Sequence, residues 1–344
     1  MTDTAIESRL SLLEQAWTLQ RSGDMSAMVQ LLAPVPVEDL LAEPELGILL
    51  GFGWFHSGQG QQTLELVHAL YEPLRREGNS SLHRRLRNLH AIVLLGRGGV
   101  EAAAQMWADL MEKALASGDQ LALGWAYANL AIVADIQCRW EESLAHSQRA
   151  GAVYQRIGDR RALAANHHTR GMTYRQLGLL READKQFEHA ADLLRIHATA
   201  DHLAYTNMER GLTLYMLGDV RLGQASVQRA LDTFVRIGHE AGQGDSRRVM
   251  GIFAMQEGRL LEARGLLENA LGQVRSAADL LTEAETLEEL AVLEMLEGNS
   301  EQSNGRAEEA GRIYRGMGAD RRAERMEERL REVVAGAGVA PGPA

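Results

Sequence analysis

Cysteine and proline are scarce in this sequence. Its single cysteine, Cys138, cannot form an intramolecular disulfide bond or supply a cluster of thiolates for zinc. Six prolines occur in 344 residues, and none lies between positions 74 and 340. Because a proline interrupts an α-helix, this long proline-free span favours uninterrupted helices.

Strand patterns and long apolar runs are also missing. Ala, Leu, Arg, Glu and Gln are abundant, whereas runs of Val, Ile and Thr do not occur, so we predict an all-α protein. No apolar stretch approaches the ~20 residues needed to span a bilayer, and we expect no membrane partner. The first ten residues, MTDTAIESRL, lack the basic and apolar parts of a secretory signal, and we therefore expect a cytoplasmic protein.

Positive charge is scarcer than negative charge. The formal net charge is −11 at pH 7. Nonspecific binding to nucleic acid requires clustered cations, so we expect no direct nucleic-acid partner.

What the sequence does contain is a repeat of 40 residues. Seven segments align without gaps, beginning at positions 50, 90, 130, 170, 210, 250 and 290. The stretch RGMTYRQLGLLREADKQFEHA from residue 170, for example, aligns with RGLTLYMLGDVRLGQASVQRA from residue 210. Repeats of this kind bury their apolar surfaces against one another, so we predict one stacked array rather than two ordinary domains.

Small residues occupy fixed columns of this alignment. In the fourth unit the first three columns hold Gly171, Gly178 and Ala183. Glycine readily adopts the left-handed conformation that ends many helices, so we interpret the second column, where Cys138 is an exception, as helix C-terminal turns. The first and third columns are interpreted as the point where two antiparallel helices cross. A further set is interpreted as the ends of the second helices: Gly78, Gly118, Gly158, Gly238 and Gly318.

The fourth unit resembles the tetratricopeptide repeat. The residues that match this family's pattern are Gly171, Tyr174, Gly178, Ala183, Phe187 and Ala190. The resemblance implies a right-handed α-solenoid of antiparallel helix pairs with about 17 helices. The units are longer than the family's usual length of about 34 residues, and in this they resemble bacterial regulatory sensors and peptide-binding scaffolds. HEAT-type repeats, the competing fold at this repeat length, lack this set of small residues.

The resemblance covers residues 44–323 as seven units. Residues 1–43 are predicted to form a divergent N-terminal helix pair or cap, with Gly23 at its turn. Residues 324–335 are predicted to form a polar C-terminal capping helix. The final segment, 336–344, has almost no helix-forming or core-forming residues and is predicted to be disordered.

The resemblance also implies a binding site, because the first helices of such an array line a concave groove. Aromatic and methionine side chains there provide adaptable apolar contacts, and Asn and Arg recognise peptide backbone or carboxylate groups. We therefore predict that the groove binds a peptide or protein segment. The alternative for each residue is packing between neighbouring first helices. The candidate residues are Arg85, Asn88, Trp125, Asn129, Asp135, His168, Met172, Arg175, Tyr205, Met208, Tyr215 and Arg248.

Charge also changes along the array. Arginines cluster between positions 84 and 87, whereas glutamates crowd the last unit. Such a gradient would suit a bipolar ligand or the charged helix of a partner. Glu289, Glu294 and Glu297 are interpreted as part of a solvent-exposed acidic helix.

Motifs typical of catalysis are absent from the sequence. P-loop, HExxH and GxSxG patterns do not occur, and we expect no cofactor and no metal. His168 and Asp135 occupy groove positions of neighbouring units and could form an acid–base pair, but we interpret His168 as a hydrogen-bonding contact. The favoured interpretation is an interaction module with a regulatory or scaffold role. The alternative is a small-molecule-binding protein or enzyme with a site inside the superhelix, for example in specialised metabolism. The oligomeric state stays open.

Overall fold

The structure, a computed structural model, describes residues 3–22, 24–77, 80–197 and 200–336. Within these ranges the chain forms eighteen α-helices and no β-strand. The helices are α1 (Asp3–Ser22), α2 (Met25–Leu32), α3 (Val37–Ala42), α4 (Pro44–His56), α5 (Gly60–Glu77), α6 (Ser80–Gly96), α7 (Val100–Ser117), α8 (Gln120–Ile136), α9 (Trp140–Ile157), α10 (Arg160–Gln176), α11 (Leu180–His197), α12 (Ala200–Met216), α13 (Val220–Ile237), α14 (Glu240–Gln256), α15 (Leu260–Ser276), α16 (Leu280–Leu296), α17 (Ser300–Gly316) and α18 (Asp320–Val334).

The helices belong to two compact units that divide within α8. Unit 1 is Met1–Ala126 and unit 2 is Tyr127–Ala344. In unit 1, α4 contacts α1, α2, α3, α5 and α6, and its residues 46–50 are buried. Because neighbouring helices enclose α4, this helix is apolar on every side rather than along one stripe.

Unit 2 has two layers of helices. The first helices of successive pairs contact one another, α10 with α12, α12 with α14 and α14 with α16. Each also packs against its own second helix, so most sides of α12 and α14 are buried. The second helices bury one face only; in α13 this face contains Val227, Ala230 and Phe234. The spacing of these residues is that of an amphipathic helix with a single apolar stripe.

Each first helix ends in a left-handed turn. At the end of α12, Gly218 has a φ of 94°, and the N–H of Asp219 donates to the carbonyl of Leu214 at 2.9 Å. This six-to-one hydrogen bond with a left-handed glycine is a Schellman cap. Cys138, with a φ of 55°, adopts the same conformation, which costs an L-residue roughly 1–2 kcal/mol. The prediction that the second small-residue column forms the turns is therefore confirmed.

The closest approach of two helices joins the first and third columns of small residues. A Cβ atom added to Gly223 of α13 would lie 2.6 Å from the carbonyl oxygen of Gly211 and 2.9 Å from the amide nitrogen of Tyr215, both in α12. A Cβ atom added to Gly171 would lie 2.7 Å from the ring of Phe187. The small residues therefore remove side-chain bulk where the backbone or a large ring of the paired helix needs the space.

The predicted all-α fold of antiparallel helix pairs is confirmed. The described ranges contain eighteen helices rather than about 17. The additional helix is α3, a short helix between Pro36 and Pro44. A proline at the first position of a helix is well tolerated because that N–H group lacks an intrahelical partner anyway.

The structure also gives bounds for the ends of the array. The C-terminal helix α18 begins at Asp320, earlier than the expected boundary at residue 324. Gly23, Gly78 and most of the predicted disordered tail, residues 337–344, lie outside the described residues.

Substitution of Gly223 tests the close approach of α12 and α13. We expect Gly223→Ala to reduce the free energy of unfolding by roughly 1–3 kcal/mol, because the new methyl group would overlap backbone atoms that cannot rotate away. The control is Gly265→Ala in α15, where no atom lies within 4 Å of the added Cβ. This variant should be more stable than wild type by up to about 1 kcal/mol through helix propensity. Equal stability of the two variants in urea denaturation would contradict the proposed crossing.

Candidate functional site

Charged side chains from successive first helices meet in unit 2. We call seven of them the inner charge network: Asp135, Arg175, Glu209, Asp245, Arg248, Glu285 and Arg322. They come from α8, α10, α12, α14, α16 and α18, and we call the side of the five first helices α8, α10, α12, α14 and α16 that carries them the inner face. Removing so many charges from water is costly unless each one finds a partner of opposite sign. The contacts of the network show how this requirement is met.

Arg175 of α10 and Glu209 of α12 form a buried ion pair. Arg175 Nη1 lies 2.5 Å from Glu209 Oε2, and the two side chains are 1% and 6% exposed. Burial opposes ionisation of Glu209, but the charges of Arg175 and Arg248 and the nearby His168 lower its pKa overall. Within the described part of the chain, Arg175 Nε has no hydrogen-bond partner. The pair is therefore held by charge and leaves one guanidinium donor unused.

Arg248 connects two carboxylates of neighbouring helices. Its Nη2 atom lies 2.7 Å from Asp245 Oδ1 on the same helix and 3.3 Å from Glu285 Oε2 on α16. Burial raises the pKa of Asp245 to about 7; Arg248 acts in the opposite direction, and Glu209 and Glu285 add to the rise. Burial also raises the pKa of Asp135, opposed chiefly by Arg322, so both aspartates of the network hold a proton more readily than an exposed aspartate does.

Arg322 brings the C-terminal helix α18 into the network. Its Nη1 lies 2.9 Å from Glu285 Oε1, its Nη2 lies 3.5 Å from Asp135 Oδ2, and its Nε donates to the carbonyl oxygen of Ile136 at 3.1 Å. Asp135 also accepts a hydrogen bond of 2.9 Å from the hydroxyl of Thr173. One arginine of α18 therefore connects α16, near the end of the array, with α8 at the beginning of unit 2.

Two further arginines of α18 also contact other helices of unit 2: Arg325 contacts α9 and α10, and Arg329 contacts α16. The guanidinium of Arg325 lies 4.6 Å from the ring centre of Trp140, and Nη1 is 3.5 Å from Gln176 Oε1. Arg329 forms ion pairs of 3.0 Å with Glu288 and 2.8 Å with Glu289. Residues 322, 325 and 329 are spaced i, i+3 and i+7, which places them on one face of the helix.

His168 and Asp135 have different partners. His168 Nδ1 lies 3.2 Å from the hydroxyl of Thr206, whereas Asp135 is held by Thr173 and Arg322. Burial lowers the pKa of His168 to about 4, with Glu209 acting in the opposite direction, so the ring is neutral at physiological pH. The structure thus gives His168 the hydrogen-bonding role expected from the sequence and places Asp135 in an ion pair.

The aromatic and methionine candidates of unit 2 pack within the repeats. Tyr215 stacks on Phe253 of the next first helix with ring centres 4.1 Å apart. Tyr205 makes an edge contact with Phe234 at 4.7 Å. Met208 is fully buried, with the Ser246 hydroxyl 3.4 Å from its sulfur. The remaining two candidates, Asn129 of α8 and Met172 of α10, are half-buried.

Three candidate residues belong to unit 1. Arg85 forms an ion pair of 2.7 Å with Glu45 and lies over the ring of Trp17, 4.4 Å from its centre. Asn88 accepts a hydrogen bond of 3.0 Å from the indole N–H of Trp107. Trp125 is half-buried on α8.

The candidate residues were expected to face a ligand, but six are buried: Arg85, Asn88, Asp135, Arg175, Met208 and Arg248. For five of them the physical reason is that first helices of neighbouring pairs pack closely enough for their side chains to meet, which is the packing alternative named above. Asn88 instead contacts Trp107 of α7, the second helix of its own pair. The role of all six in ligand binding stays a prediction.

The sequence interpretation missed several charged residues of the inner face. Glu209, Arg322, Arg325 and Arg329 were not among the candidates, although the i, i+3, i+7 spacing of the arginines was a visible signal. The interpretation of a solvent-exposed acidic helix was wrong for Glu289 and Glu294. Both are buried, Glu289 against Arg329 and Glu294 against Arg264 at 2.7 Å. An isolated helix sequence cannot show that another helix supplies an arginine to each glutamate.

Metal-site and membrane searches of the described residues were negative. Within 3–22, 24–77, 80–197 and 200–336, no group of three or more His, Cys, Asp or Glu side chains is placed to hold a metal ion. None of the helices in these ranges combines the length and the apolar character needed to cross a bilayer.

The helix pairs can now be compared with known proteins. Residues 123–196, which include α9, α10 and most of α11, match the family model described as tetratricopeptide repeat. The protein contains tetratricopeptide repeats. The resemblance inferred from its small-residue columns is therefore confirmed, and α10, one of the helices of the inner face, lies within the matched residues.

Solved tetratricopeptide-like structures share this fold at low sequence identity. A Rap protein complexed with competence and sporulation factor is 12% identical, with a TM-score of 0.60 over 96% of this chain and 99% of that chain. The Rap conjugation gene regulator of plasmid pLS20, in complex with the Phr* peptide, is 15% identical, with a TM-score of 0.53 over 88% and 81%. The apo quorum sensor NprR from B. thuringiensis is 12% identical, with a TM-score of 0.51 over 79% and 76%. A search of curated protein sequences gave no match.

Substitution of Arg175 tests the buried ion pair between α10 and α12. We expect Arg175→Met to lower the free energy of unfolding by about 3–5 kcal/mol, because Glu209 would remain buried without its partner. Arg175→Met combined with Glu209→Gln should recover part of this loss, since the second change removes the unpaired charge. The matched control is Arg181→Met on the exposed face of α11, expected within about 0.5 kcal/mol of wild type in the same denaturation assay. A loss for Arg175→Met no larger than that of the control would contradict the buried pair.

The raised pKa of Asp245 predicts a pH-dependent stability. Its pKa of about 7 lies above the ordinary 3.8, so the folded state holds a proton that the unfolded state releases in this interval. The contribution of Asp245 to stability must then fall as pH rises from about 4 to about 7. Charged neighbours that set this behaviour are Arg248, Glu209 and Glu285.

We expect Asp245→Asn to gain stability relative to wild type as pH rises through this range, measured by urea denaturation at each pH. Asp219→Asn, in the exposed turn after α12, is the control. A difference between wild type and Asp245→Asn that stays constant with pH would contradict the assignment.

Proposed function

We propose that this protein is an interaction module with a regulatory or scaffold role, and that the inner face of unit 2 binds a peptide or protein segment. One observation carries the proposal: this face already engages α18, a chain segment outside the five helix pairs that form it. The arginines of α18 contact α8, α9, α10 and α16 through ion pairs, a hydrogen bond and a cation–π contact. A surface with these groups can recognise a second charged segment by the same chemistry.

Two further features support a peptide rather than a small molecule. The charges of the inner face are distributed over five consecutive first helices, which suits a ligand that extends across several repeats. Rap proteins with the same fold were solved with competence and sporulation factor and with the Phr* peptide. The alternative of an enzyme would be favoured by a paired histidine and carboxylate, and His168 and Asp135 do not form that pair.

Peptide selection on the full chain tests this function. A phage-displayed library of random 16-residue peptides is selected against the immobilised protein, and the best peptides are synthesised with scrambled controls. We expect saturable binding with a dissociation constant of roughly micromolar size, about −8 kcal/mol. Hydrogen exchange should then show new protection on α8, α10, α12, α14 and α16, and none with the scrambled peptides. Failure to select any binder, or protection confined to the second helices, would contradict the proposed function.

A further inference from the structure

We propose that α18 is a displaceable intramolecular ligand of the inner face, and that the partner is a helical segment with arginines at the same i, i+3 and i+7 spacing. This inference rests on the proposed function and names its ligand class and its regulation. The partner would compete with α18 for the same carboxylates, so the protein would bind it only as α18 leaves.

The contacts of α18 extend further than those needed to cover the end of a solenoid. A capping helix must shield the last apolar surface and present polar residues to solvent. In addition to packing on α16 and α17, α18 sends Arg322 to the carbonyl of Ile136, 186 positions earlier in the chain. Arg325 lies against Trp140 of α9. These contacts connect α18 with helices at the beginning of unit 2, far from the end of the array that a cap would cover.

Charge complementarity defines the kind of occupant. Four carboxylates of the inner face contact arginines of α18: Asp135, Glu285, Glu288 and Glu289. Departure of α18 would leave them with a large excess of negative charge beside Arg175 and Arg248. Departure of α18 would expose these carboxylates to water as a concentrated negative surface, which favours binding of another cationic segment. Guanidinium groups fit this need because they stay charged and form forked hydrogen bonds with carboxylates.

Helix α18 buries fewer apolar side chains than α16, the first helix on which it packs. Its buried apolar side chains are Ala323, Met326 and Leu330. In α16, by contrast, apolar residues are buried along most of the helix, including Leu287 and Leu290. An open cleft of about 510 Å³ also lies between α17 and α18. Apolar contacts therefore attach α18 over a smaller part of its length than α16, and the ion pairs of its arginines can be exchanged for those of a competing segment.

Competition in the full-length protein tests the proposal. The release variant carries Arg322→Gln and Arg329→Gln, which remove the ion pairs of α18 with the inner face. The control variant carries Arg321→Gln and Arg331→Gln, which remove the same charge from the exposed side of α18. The probe is a fluorescent peptide with the sequence of residues 319–336, ADRRAERMEERLREVVAG. Circular dichroism and thermal unfolding verify that both variants are folded.

We expect the peptide to bind the release variant at least tenfold more tightly than it binds wild type or the control variant. Binding should weaken as salt is added, because ion pairs carry the recognition. A peptide with glutamine in place of the three arginines that correspond to 322, 325 and 329 should not bind. Equal binding to wild type and the release variant, or binding that does not need the three arginines, would overturn the proposal.

A second measurement uses the wild-type protein alone. In wild type, amide hydrogen exchange of α18 should be at least tenfold faster than that of α16, because α18 opens without the rest of unit 2. Exchange of both helices at one common rate would show a fixed cap and overturn the inference. Library peptides that protect the inner face equally in wild type and in the release variant would refute displacement of α18 and would support the proposed function. Library peptides that protect the inner face in neither protein would refute the proposed function itself.

Discussion

Pairing of guanidinium and carboxylate groups away from water is the interaction on which the inner side of unit 2 depends. Each charge there would be costly alone, and each therefore needs a partner from a neighbouring helix. Arg248 shows this requirement most clearly, since it contacts Asp245 on its own helix and Glu285 on the next. Such pairs add little net stability compared with apolar packing, but they require one particular arrangement of helices. The network thus specifies which first helices lie side by side.

The small residues of the repeat make this arrangement geometrically possible. Gly211 and Gly223 let two backbones approach within the distance that a methyl group would occupy. The left-handed turns at the ends of the first helices then reverse the chain with the same hydrogen bonds, so successive first helices return to the same side. Side chains that are 40 positions apart in sequence become neighbours as a result. Tyr215 and Phe253, 38 positions apart, stack for this reason.

The C-terminal helix connects the architecture with function. Its arginines use the same chemistry as the ion pairs between first helices, but they come from a segment held by few apolar contacts. The proposed exchange of one arginine-bearing segment for another would leave the apolar layers between first and second helices in place. In this view the acidic character of the last repeats is a recognition property as well as a solubility property.

The sequence by itself determined the helix pairs, their 40-residue period, the turn positions and the crossing points, because these follow from local conformational preferences and side-chain size. Gly178 and Gly211 could be assigned from their columns alone. Only the tertiary structure decided that Arg175 and Arg248 are buried, that Glu289 faces Arg329, and that α18 reaches Asp135. The physical reason is that the environment of a charge depends on which distant helices surround it, and a pattern read along one helix contains no information about the partners of its polar side.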